Sequence, residues 1–309
     1  MSSFDEYMAT LDYYNIWFDI FDLLNFKSKI GLLSICSCMR ESLTITDLYN
    51  IESTYLCKLN DDILSNTIFR NVKSLDIKPY IVIKNIQFMK NLKRLRIGGN
   101  SYIDENSIRG LDLTDINIPY DTRFHDVSNM KTLKVLKNYH ATQNMIQYLD
   151  LISLNINCNR TITDVSFMKN LKILYAGSSL ALTQAGIANL DLYILDVGWD
   201  SCITDVSFMR NLKKLDASGN CGINQDGIHG LDLVNLNVRH NEKIHDVSFM
   251  RNLKKLNAQG ACGIGMDGIR GLELDVLKAN GNPNITIPDI KKKYFYDSLT
   301  ELKVKSSIR

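Results

Sequence analysis

The chain has 309 residues, of which 45% are hydrophobic and 23% are charged, with a net charge of +2. This composition is not that of an intrinsically disordered chain. The near-neutral charge gives no argument for a polyanionic partner. The first residues lack the basic flank and apolar run of a secretory signal, and no apolar stretch reaches the roughly 20 residues that span a bilayer. Seven scattered cysteines, an odd number, favour a reducing compartment. We therefore expect an intracellular, cytoplasmic protein without a membrane partner.

The first 50 residues form a segment of their own, because they do not carry the repeat that follows. Their apolar residues predict two or three short helices. These residues are Ile16, Ile20, Leu23, Leu24, Ile30, Leu32, Leu33 and Ile35. An open stack of repeats exposes the apolar surface of its first coil, which some element must cover. We therefore predict a small helical cap at residues 1–50 and a repeat domain at residues 51–309.

The order of residues in this cap resembles an F-box. An I-x-x-x-I-x-x-L helix is followed by a polar break, by Leu-Leu-Ser-Ile-Cys-Ser and by a basic residue. The usual Leu-Pro pair before the first helix is absent, and Asp12 to Asn15 stand in its place. The resemblance implies docking to a small adaptor of cullin–RING ubiquitin ligases. The residues implied in docking are Trp17, Ile20, Phe21, Leu24, Leu32 and Leu33. Capping and docking are compatible, and both stay open.

An internal repeat dominates the rest of the chain. Residues 205–233 and 246–274 agree at 22 of 29 positions, and a weaker copy starts 41 residues before the first, at Asp164. Each block holds two units of the form L-x-x-L-x-(A/V/I)-x-x-N-x-x-I. The first apolar position of the unit recurs at Val72, Leu92, Leu113, Leu133, Leu151, Leu171, Leu192, Leu212, Leu233, Leu253, Leu274 and Leu299. A period of this size indicates stacked supersecondary units.

This pattern resembles the leucine-rich repeat family. Alternating apolar and polar residues predict a short strand with one buried face, and strands that recur every 20 or 21 residues stack in parallel, about 4.8 Å apart. We expect an α/β repeat solenoid, a right-handed coil of about 12 units with a parallel sheet on its concave side. In the family, the Asn of each unit lies inside the turn and bonds to neighbouring coils. The equivalent residues here include Asn159, Asn220, Asn241 and Asn282.

The return segments between strands are of two kinds. One reads D-V-S-F-M-(K/R)-N, and its phenylalanines are predicted to stack as an aromatic spine beside gap-filling methionines. These phenylalanines are Phe88, Phe167, Phe208 and Phe249. The other reads G-I-x-x-x-G-I-x-G-L, whose glycines permit tight turns and close contact between coils. Because the glycines recur at a fixed period without a following Lys-Ser or Lys-Thr, they indicate scaffold and not a phosphate-binding loop.

The candidate functional surface is the concave face of the strands. Its side chains point away from the core, and aromatic residues on a rigid face are typical binding anchors, because they bury area at low entropy cost. The predicted partner-binding residues are Tyr120, Tyr139, His140, Tyr175, Trp199, Arg239 and His240. We therefore predict a protein–protein interaction module that, through the F-box-like cap, is also a substrate receptor for a ubiquitin ligase.

Two alternatives remain from the sequence. The near-identical tandem copies and the F-box-like start resemble repeat proteins of large DNA viruses of amoebae, which would place the chain in a host cell or a virus particle, where its role could be purely structural. A basic stripe that includes Lys93, Lys134, Lys172, Lys213 and Lys254 would suit a nucleic acid, which the near-neutral charge disfavours. No pattern predicts a catalytic residue, a metal site, a cofactor or a small-molecule substrate.

Overall fold

The computed structural model describes residues 24–33, 45–49, 59–77, 82–99, 102–119, 124, 126–199, 202–285 and 302–303. The chain divides into two compact units, Met1–Leu133 and Lys134–Arg309. Both units are built from short coils, each with one strand and a return segment. None of the helices in the described ranges has the length and apolar character that crossing a membrane requires.

The N-terminal unit contains α1 and four strands that pair in parallel, each with the next. Its elements are α1 (Phe26–Leu33), β1 (Asp47–Leu48), α2 (Asp61–Leu64), a 3-10 turn (Thr67–Phe69), β2 (Ser74–Ile77), β3 (Arg94–Ile97), a 3-10 turn (Asn106–Ile108) and β4 (Asp115–Asn117). The side chain of Asn60 caps α2 by accepting the N–H of Ile63, and Asn66 caps the following 3-10 turn in the same way.

The C-terminal unit carries the most regular coils. Its elements are β5 (Val135–Lys137), α3 (Gln143–Ile146), β6 (Ser153–Asn155), β7 (Ile173–Tyr175), a 3-10 turn (Ala185–Ile187), β8 (Ile194–Asp196), β9 (Lys214–Asp216), a 3-10 turn (Asp226–Ile228), β10 (Asn235–Asn237), β11 (Lys255–Asn257), a 3-10 turn (Asp267–Ile269), β12 (Val276–Lys278) and β13 (Leu302–Lys303). Strands β5 to β12 pair in parallel in chain order. Strand β13 joins β12 antiparallel, so the parallel series ends at β12.

The register of the strands follows the sequence repeat. Leu195 pairs with Leu174 on one side and with Leu215 on the other, and all three leucines are buried. The next inward residue, such as Val197, is buried as well, whereas the residues between them lie on the outer face of the strand. Each coil therefore stabilises the next by stacking equivalent apolar side chains, and the α/β repeat solenoid is confirmed.

Buried asparagines connect the coils as predicted. The Nδ2 of Asn241 donates to the carbonyl oxygens of Ala217 and Ile223, at 2.8 and 3.2 Å. Asn282 makes the same pair of bonds to the coil before it, and the Nδ2 of Asn159 also donates to two carbonyl oxygens of an earlier coil. These amides satisfy carbonyl groups that the turn would otherwise leave buried and unpaired.

The prediction for Asn220 is wrong, because its side chain is exposed and Cys221 occupies the buried position. The equivalent coil, 41 residues on, buries Cys262. There the N–H of Gly263 donates directly to the carbonyl oxygen of Asn241, at 3.0 Å. A β-carbon at Gly263 would lie 2.5 Å from the carbonyl oxygen of Glu242, so only glycine permits this approach. A bond between main chains replaces the amide link in this coil.

The predicted aromatic spine is also wrong. Phe208 and Phe249 are 37% and 36% exposed, whereas Met209 and Met250, directly after them, are fully buried. The N–H of Met209 donates to the carbonyl oxygen of Val206 at 3.0 Å, and this three-residue turn points both of those side chains inward. The phenylalanine between them must then point outward. Methionine therefore fills the return side of the core.

Glutamine side chains join the return segments, a role that was not predicted. The Oε1 of Gln225 accepts the N–H groups of His245 and Asp246, at 3.0 and 2.9 Å, and its Nε2 donates to the carbonyl oxygen of Asp246 at 2.8 Å. Gln184 and Gln143, one and two 41-residue repeats earlier, make equivalent bonds. One glutamine side chain thus forms hydrogen bonds with three main-chain groups of the next coil.

Candidate partner-binding face

The outer face of the strands in the C-terminal unit presents one ordered column of side chains at its centre. The members of the column are Lys137, Asn155, Tyr175, Asp196, Asp216, Asn237, Asn257 and Lys278. All are partly buried, because each is flanked by the equivalent residue of the neighbouring coil. We call this surface, with the residues that directly follow each strand, the strand face.

The chain leaves strands β6 to β12 through a left-handed residue. The residues at this repeat position are Cys158, Ser178, Trp199, Gly219, His240, Gly260 and Gly281, with φ between 58° and 72°. Parallel pairing continues through them, since the N–H of Trp199 donates to the carbonyl oxygen of Ser218 at 2.8 Å. Glycine adopts this conformation freely, whereas a residue with a side chain is strained in it. Trp199 and His240 therefore occupy positions that neighbouring coils give to glycine.

The two aromatic rings lie on the glycines of the next coils. A β-carbon at Gly219 would overlap Cδ2 of Trp199, and one at Gly260 would overlap Cε1 of His240. The centroids of the Trp199 and His240 rings are 6.4 Å apart, with an angle of 50° between the planes. Trp199 is nevertheless 56% exposed. The two rings form one aromatic row, exposed at Trp199 and half-buried at His240, which main chain supports from below.

Two aspartates lie side by side next to this row. Asp196 and Asp216 are register partners on β8 and β9. The N–H and hydroxyl of Ser218 donate to Oδ1 of Asp216 at 3.0 and 2.6 Å, and the Nδ2 of Asn237 donates to Oδ2 at 2.6 Å. Asp196 accepts the N–H of Gly198 at 3.1 Å. Burial, together with the neighbouring charge of Asp216, raises the pKa of Asp196 to about 6.

Glycines make room for the two carboxylates. A β-carbon at Gly177 would lie 2.9 Å from Oδ1 of Asp196, and one at Gly198 would lie 2.8 Å from Oδ1 of Asp216. Each aspartate thus lies across the glycine of the preceding coil. Between the strand end and Trp199, Val197 is buried in the core and Gly198 has no side chain. The sequence signal for this arrangement is a glycine two residues after the register partner of each aspartate: Gly177 follows Tyr175, and Gly198 follows Asp196.

The structure brings together part of the predicted site. Trp199 and His240 are in contact, and Tyr175 pairs in register with Asp196. Arg239 is exposed in the same coil as His240. Tyr139 and the exposed His140 follow β5, three strands away from β8, and Nζ of Lys137 lies 5.4 Å from the ring centroid of Tyr139. Tyr120 lies outside the described residues.

The F-box-like residues are described only in part. Leu33 is buried, and Leu24 and Leu32 are half-buried. Trp17, Ile20 and Phe21 lie outside the described residues. Beside α1 there is an apolar groove of 330 Å³, lined by Phe26, Lys27, Ile30, Leu59, Ile63, Asn66, Ile68 and Phe69.

Lysines of the basic stripe cap main-chain carbonyl groups. The Nζ of Lys213 donates to the carbonyl oxygen of Asp232 at 3.2 Å, and that of Lys254 to the carbonyl oxygen of Glu273 at 3.3 Å. Lys93, Lys134 and Lys172 make the same bond to the coil after their own. These ammonium groups stabilise the junctions between coils, which gives the stripe a structural explanation. No group of three potential metal ligands comes together in the described part of the chain.

Solved structures with leucine-rich repeats share this fold. An internalin of Listeria monocytogenes matches with a TM-score of 0.52 at 20% identity, over 83% of this chain and 88% of the internalin. The yeast Rad7–Elc1 complex matches with a TM-score of 0.42 at 12% identity, over 89% of this chain and 88% of that chain. A leucine-rich-repeat protein of Leptospira interrogans matches with a TM-score of 0.26 at 14% identity, over 81% of this chain and 58% of that protein. No protein-family profile and no curated protein matches the sequence. The chain thus has the leucine-rich-repeat fold.

Proposed function

We propose that this protein is a protein–protein interaction module whose strand face, centred on Trp199 and His240, binds a protein partner. The observation that carries the proposal is the left-handed conformation of two aromatic residues, the exposed Trp199 and the half-buried His240. Glycine would be free of strain at both positions, as it is at Gly219 and Gly260. A strained and exposed aromatic side chain contributes little to folding, and strain of this kind is found at functional sites. A binding role explains why these positions are not glycine.

The remaining features of the face agree with this role. The aromatic row is rigid, because main chain supports it from below, so binding immobilises few side chains. Aromatic anchors near the centre of a face, surrounded by polar residues, are the usual arrangement of a binding hot spot. The polar surroundings here are Asn155, Asn157, Ser218, Asn237, Arg239, Asn257 and Gln259.

A capture experiment tests the proposal. The tagged full chain and its W199G/H240G variant are exposed to lysate, and the bound proteins are quantified by mass spectrometry. Glycine suits the left-handed backbone, so the variant keeps the fold, which circular dichroism checks. Y148A is the matched control, because Tyr148 is 74% exposed after α3, on the return side. We expect one partner of defined stoichiometry that Y148A retains and W199G/H240G loses. A partner retained equally by both variants, or none at all, would favour a purely structural repeat protein.

We further propose that the N-terminal segment docks a cullin–RING adaptor, which would make the protein a substrate receptor for a ubiquitin ligase. The supporting observation is the apolar groove beside α1, where Ile30 and Ile63 are 37% and 40% exposed. Leu33 is buried, so of the described F-box-like residues only Leu24 and Leu32 reach the surface for an adaptor. The proposed docking residues Trp17, Ile20 and Phe21 would complete that surface.

Co-purification with a small adaptor of cullin–RING ubiquitin ligases tests the second proposal. We expect a stable complex with the full chain, and at least a tenfold weaker complex, an estimate for two apolar anchors, after I30D/I63D. Y148A again is the control. If the adaptor elutes separately from the unmodified chain, the ligase proposal fails and binding at the strand face is unaffected. The similarity to repeat proteins of amoebal viruses stays a prediction from sequence.

A nucleic-acid partner is the weaker alternative. The lysines of the basic stripe already donate to carbonyl groups, which leaves fewer free cations for phosphates. A nucleic-acid complex would weaken steeply with salt, whereas a complex anchored by aromatic residues would not. Binding of the captured partner at about 50 and 200 mM salt therefore separates the two possibilities.

A further inference from the structure

We infer that the partner segment bound at the strand face presents an arginine side chain, which Asp196, Asp216 and the ring of Trp199 receive together. The inference rests on the proposed function and adds the chemistry of the partner. It follows from three observations: the charge of the aspartate pair, the arginines that lie beside aspartates inside the N-terminal unit, and the exposed ring of Trp199.

The aspartate pair carries negative charge that the protein itself does not neutralise. The hydrogen-bond donors to both carboxylates come from uncharged groups, namely main-chain N–H groups, a hydroxyl and an amide. Among the described residues, no lysine or arginine forms an ion pair with Asp196 or Asp216. Lys214, on the same strand as Asp216, is the cation that interacts with Asp196, and only at longer range. A cation supplied by a partner would complete this pair.

The N-terminal unit holds an arginine in surroundings of the same kind. The Nη2 of Arg94 lies 3.4 Å from Oδ2 of Asp47, and its guanidinium carbon lies 5.6 Å from the centroid of the Tyr49 ring. Asp47 belongs to β1, and Tyr49 follows that strand. The site at β8 has the same two components, a carboxylate on the strand and an aromatic ring after it, in Asp196 and Trp199. The strand position of the carboxylate differs, because Asp47 directly precedes the buried Leu48, whereas Asp196 directly follows the buried Leu195. The fold therefore already shows one arginine held by a strand carboxylate and the ring that follows.

A second internal pair supports the choice of arginine. In the central column of the N-terminal unit, Nε of Arg96 lies 3.8 Å from Oδ1 of Asp76, on the neighbouring strand. Asp196 and Asp216 occupy the same column in the C-terminal unit, but their outer register neighbours are Tyr175 and Asn237. Neither Tyr175 nor Asn237 supplies a positive charge. In the N-terminal unit, this column holds the guanidinium of Arg96 beside Asp76. In the C-terminal unit, Asp196 and Asp216 have no guanidinium beside them in the column.

The ring of Trp199 suits a guanidinium group. One face of the ring lies on the main chain at Gly219, while the side chain stays 56% exposed. Arginine stacks on aromatic faces and pairs with carboxylates in a bidentate manner, which lysine does not. Glycine at positions 177 and 198 leaves room for the carboxylates of Asp196 and Asp216 to lie across the preceding coil. An arginine that pairs with these carboxylates and stacks on the ring would use both properties of its guanidinium group.

The charge pattern restricts this site to two coils. Along the central column, amides replace carboxylates directly after Asp216, at Asn237 and Asn257. The cations Lys137 and Lys278 lie at the outer coils of the column. A partner segment with one arginine would bind at the centre of the face, whereas a uniformly basic segment would meet lysines on either side. The proposal is therefore a single arginine, and not a polybasic stretch.

Selection from a displayed library of random dodecapeptides tests the inference. Peptides are selected on the full chain and depleted on W199G/H240G, so that the remaining peptides depend on the aromatic row. Synthetic peptides are then titrated against a W17F variant, in which Trp199 is the one remaining tryptophan and reports binding by fluorescence. Each peptide is compared with a copy in which citrulline, a neutral isostere, replaces arginine.

We expect an arginine at a fixed position in the selected peptides. Affinity should fall about tenfold or more with citrulline, and by a similar factor in D196N/D216N. The matched control is D226N/D267N, which removes the same charge from exposed positions at the start of two return-side 3-10 turns. It should leave affinity within about twofold, because surface charges are screened at this distance. Thermal unfolding of D196N/D216N, expected at or above the wild-type temperature, shows that the variant is folded.

Two results would overturn the inference. Peptides that depend on Trp199 and His240 but lack an enriched arginine, or that bind D196N/D216N as well as wild type, would refute the arginine and leave the proposed function intact. If no peptide depends on the aromatic row while the captured cellular partner does, the arginine-bearing segment is again refuted and the proposed function stands. If neither peptide nor cellular partner depends on the row, both proposals fail.

Discussion

The strand face and the return side of the C-terminal unit are built from the same repeats but differ in how constant their residues are. On the return side, Gln143, Gln184 and Gln225 make equivalent bonds at 41-residue intervals, and buried methionines follow one another. On the strand face, equivalent positions hold glycine in one coil and tryptophan or histidine in another. Residues that are the same in every repeat hold the coils together, whereas positions whose residue differs between coils are available for binding.

The largest expected effect is on the return side, at Gly227. A β-carbon there would overlap the carbonyl oxygen of Thr204 in the preceding coil, and main chain cannot move aside as a side chain can. We expect G227A to lower the free energy of unfolding by about 3 kcal/mol, as for other overpacked sites. Urea unfolding followed by circular dichroism measures it. G265A is the control, since its β-carbon would lie 3.3 Å from its nearest neighbour. Equal effects would contradict the close approach.

The second effect is a dependence on pH that arises on the strand face. The pKa of Asp196 is about 6 when folded, against 3.8 for an ordinary aspartate, so the folded state binds the proton more tightly. The destabilisation from this group is absent below about pH 4, grows between pH 4 and 6, and is complete above pH 6. We expect D196N to be about 2 kcal/mol more stable than wild type at pH 8, and equally stable at pH 3.5. A stability difference that does not change with pH would contradict it.

The third prediction addresses the support of Trp199. Alanine at Gly219 would be strained by its positive φ and would also displace the ring of Trp199. We expect G219A to cost about 1.5 kcal/mol in the wild type but only about 1 kcal/mol in a W199G background, where the ring is gone. A double-mutant cycle on urea unfolding gives the coupling. Strictly additive effects would mean that the ring does not rest on Gly219.

The smallest effect belongs to the glutamine bridges. Q225A removes a side chain that pairs three main-chain groups, but water can reach part of this surface, so we expect a loss of about 1 kcal/mol. Q147A is the control, because Gln147 is exposed at the end of α3, and it should change stability by less than about 0.5 kcal/mol. Hydrogen exchange of the His245 and Asp246 amides should accelerate in Q225A alone.

Much of the fold could be predicted because the repeat encodes it directly. Leu174, Leu195 and Leu215 are buried in register, as their spacing requires, and Asn241 and Asn282 hold the turns. The predictions were wrong where either of two neighbouring residues could have pointed into the core. Spacing could not choose between Phe208 and Met209, because a three-residue turn and not strand alternation determines which one faces the core.

The candidate site was predicted only in outline. Trp199 and His240 were recognised as aromatic residues beside the strands, but their contact depends on the glycines of the next coils. Strand alternation places Asp196 and Asp216 on the outer face, yet nothing local in the sequence marks them as a pair without a cation. The lysines of the basic stripe looked free in sequence, and their bonds to carbonyl groups were found only in the folded chain.

The sequence by itself determined the stack: the period, the parallel register, the buried leucines and the position of the outer face follow from residues close together in the chain. The tertiary structure alone decided what that face presents. The ring of Trp199 resting on Gly219, and Asp196 lying beside Asp216, join residues about one coil apart. Such contacts depend on the left-handed turn after each strand and on the absence of a β-carbon opposite, which no local pattern of apolar and polar residues records.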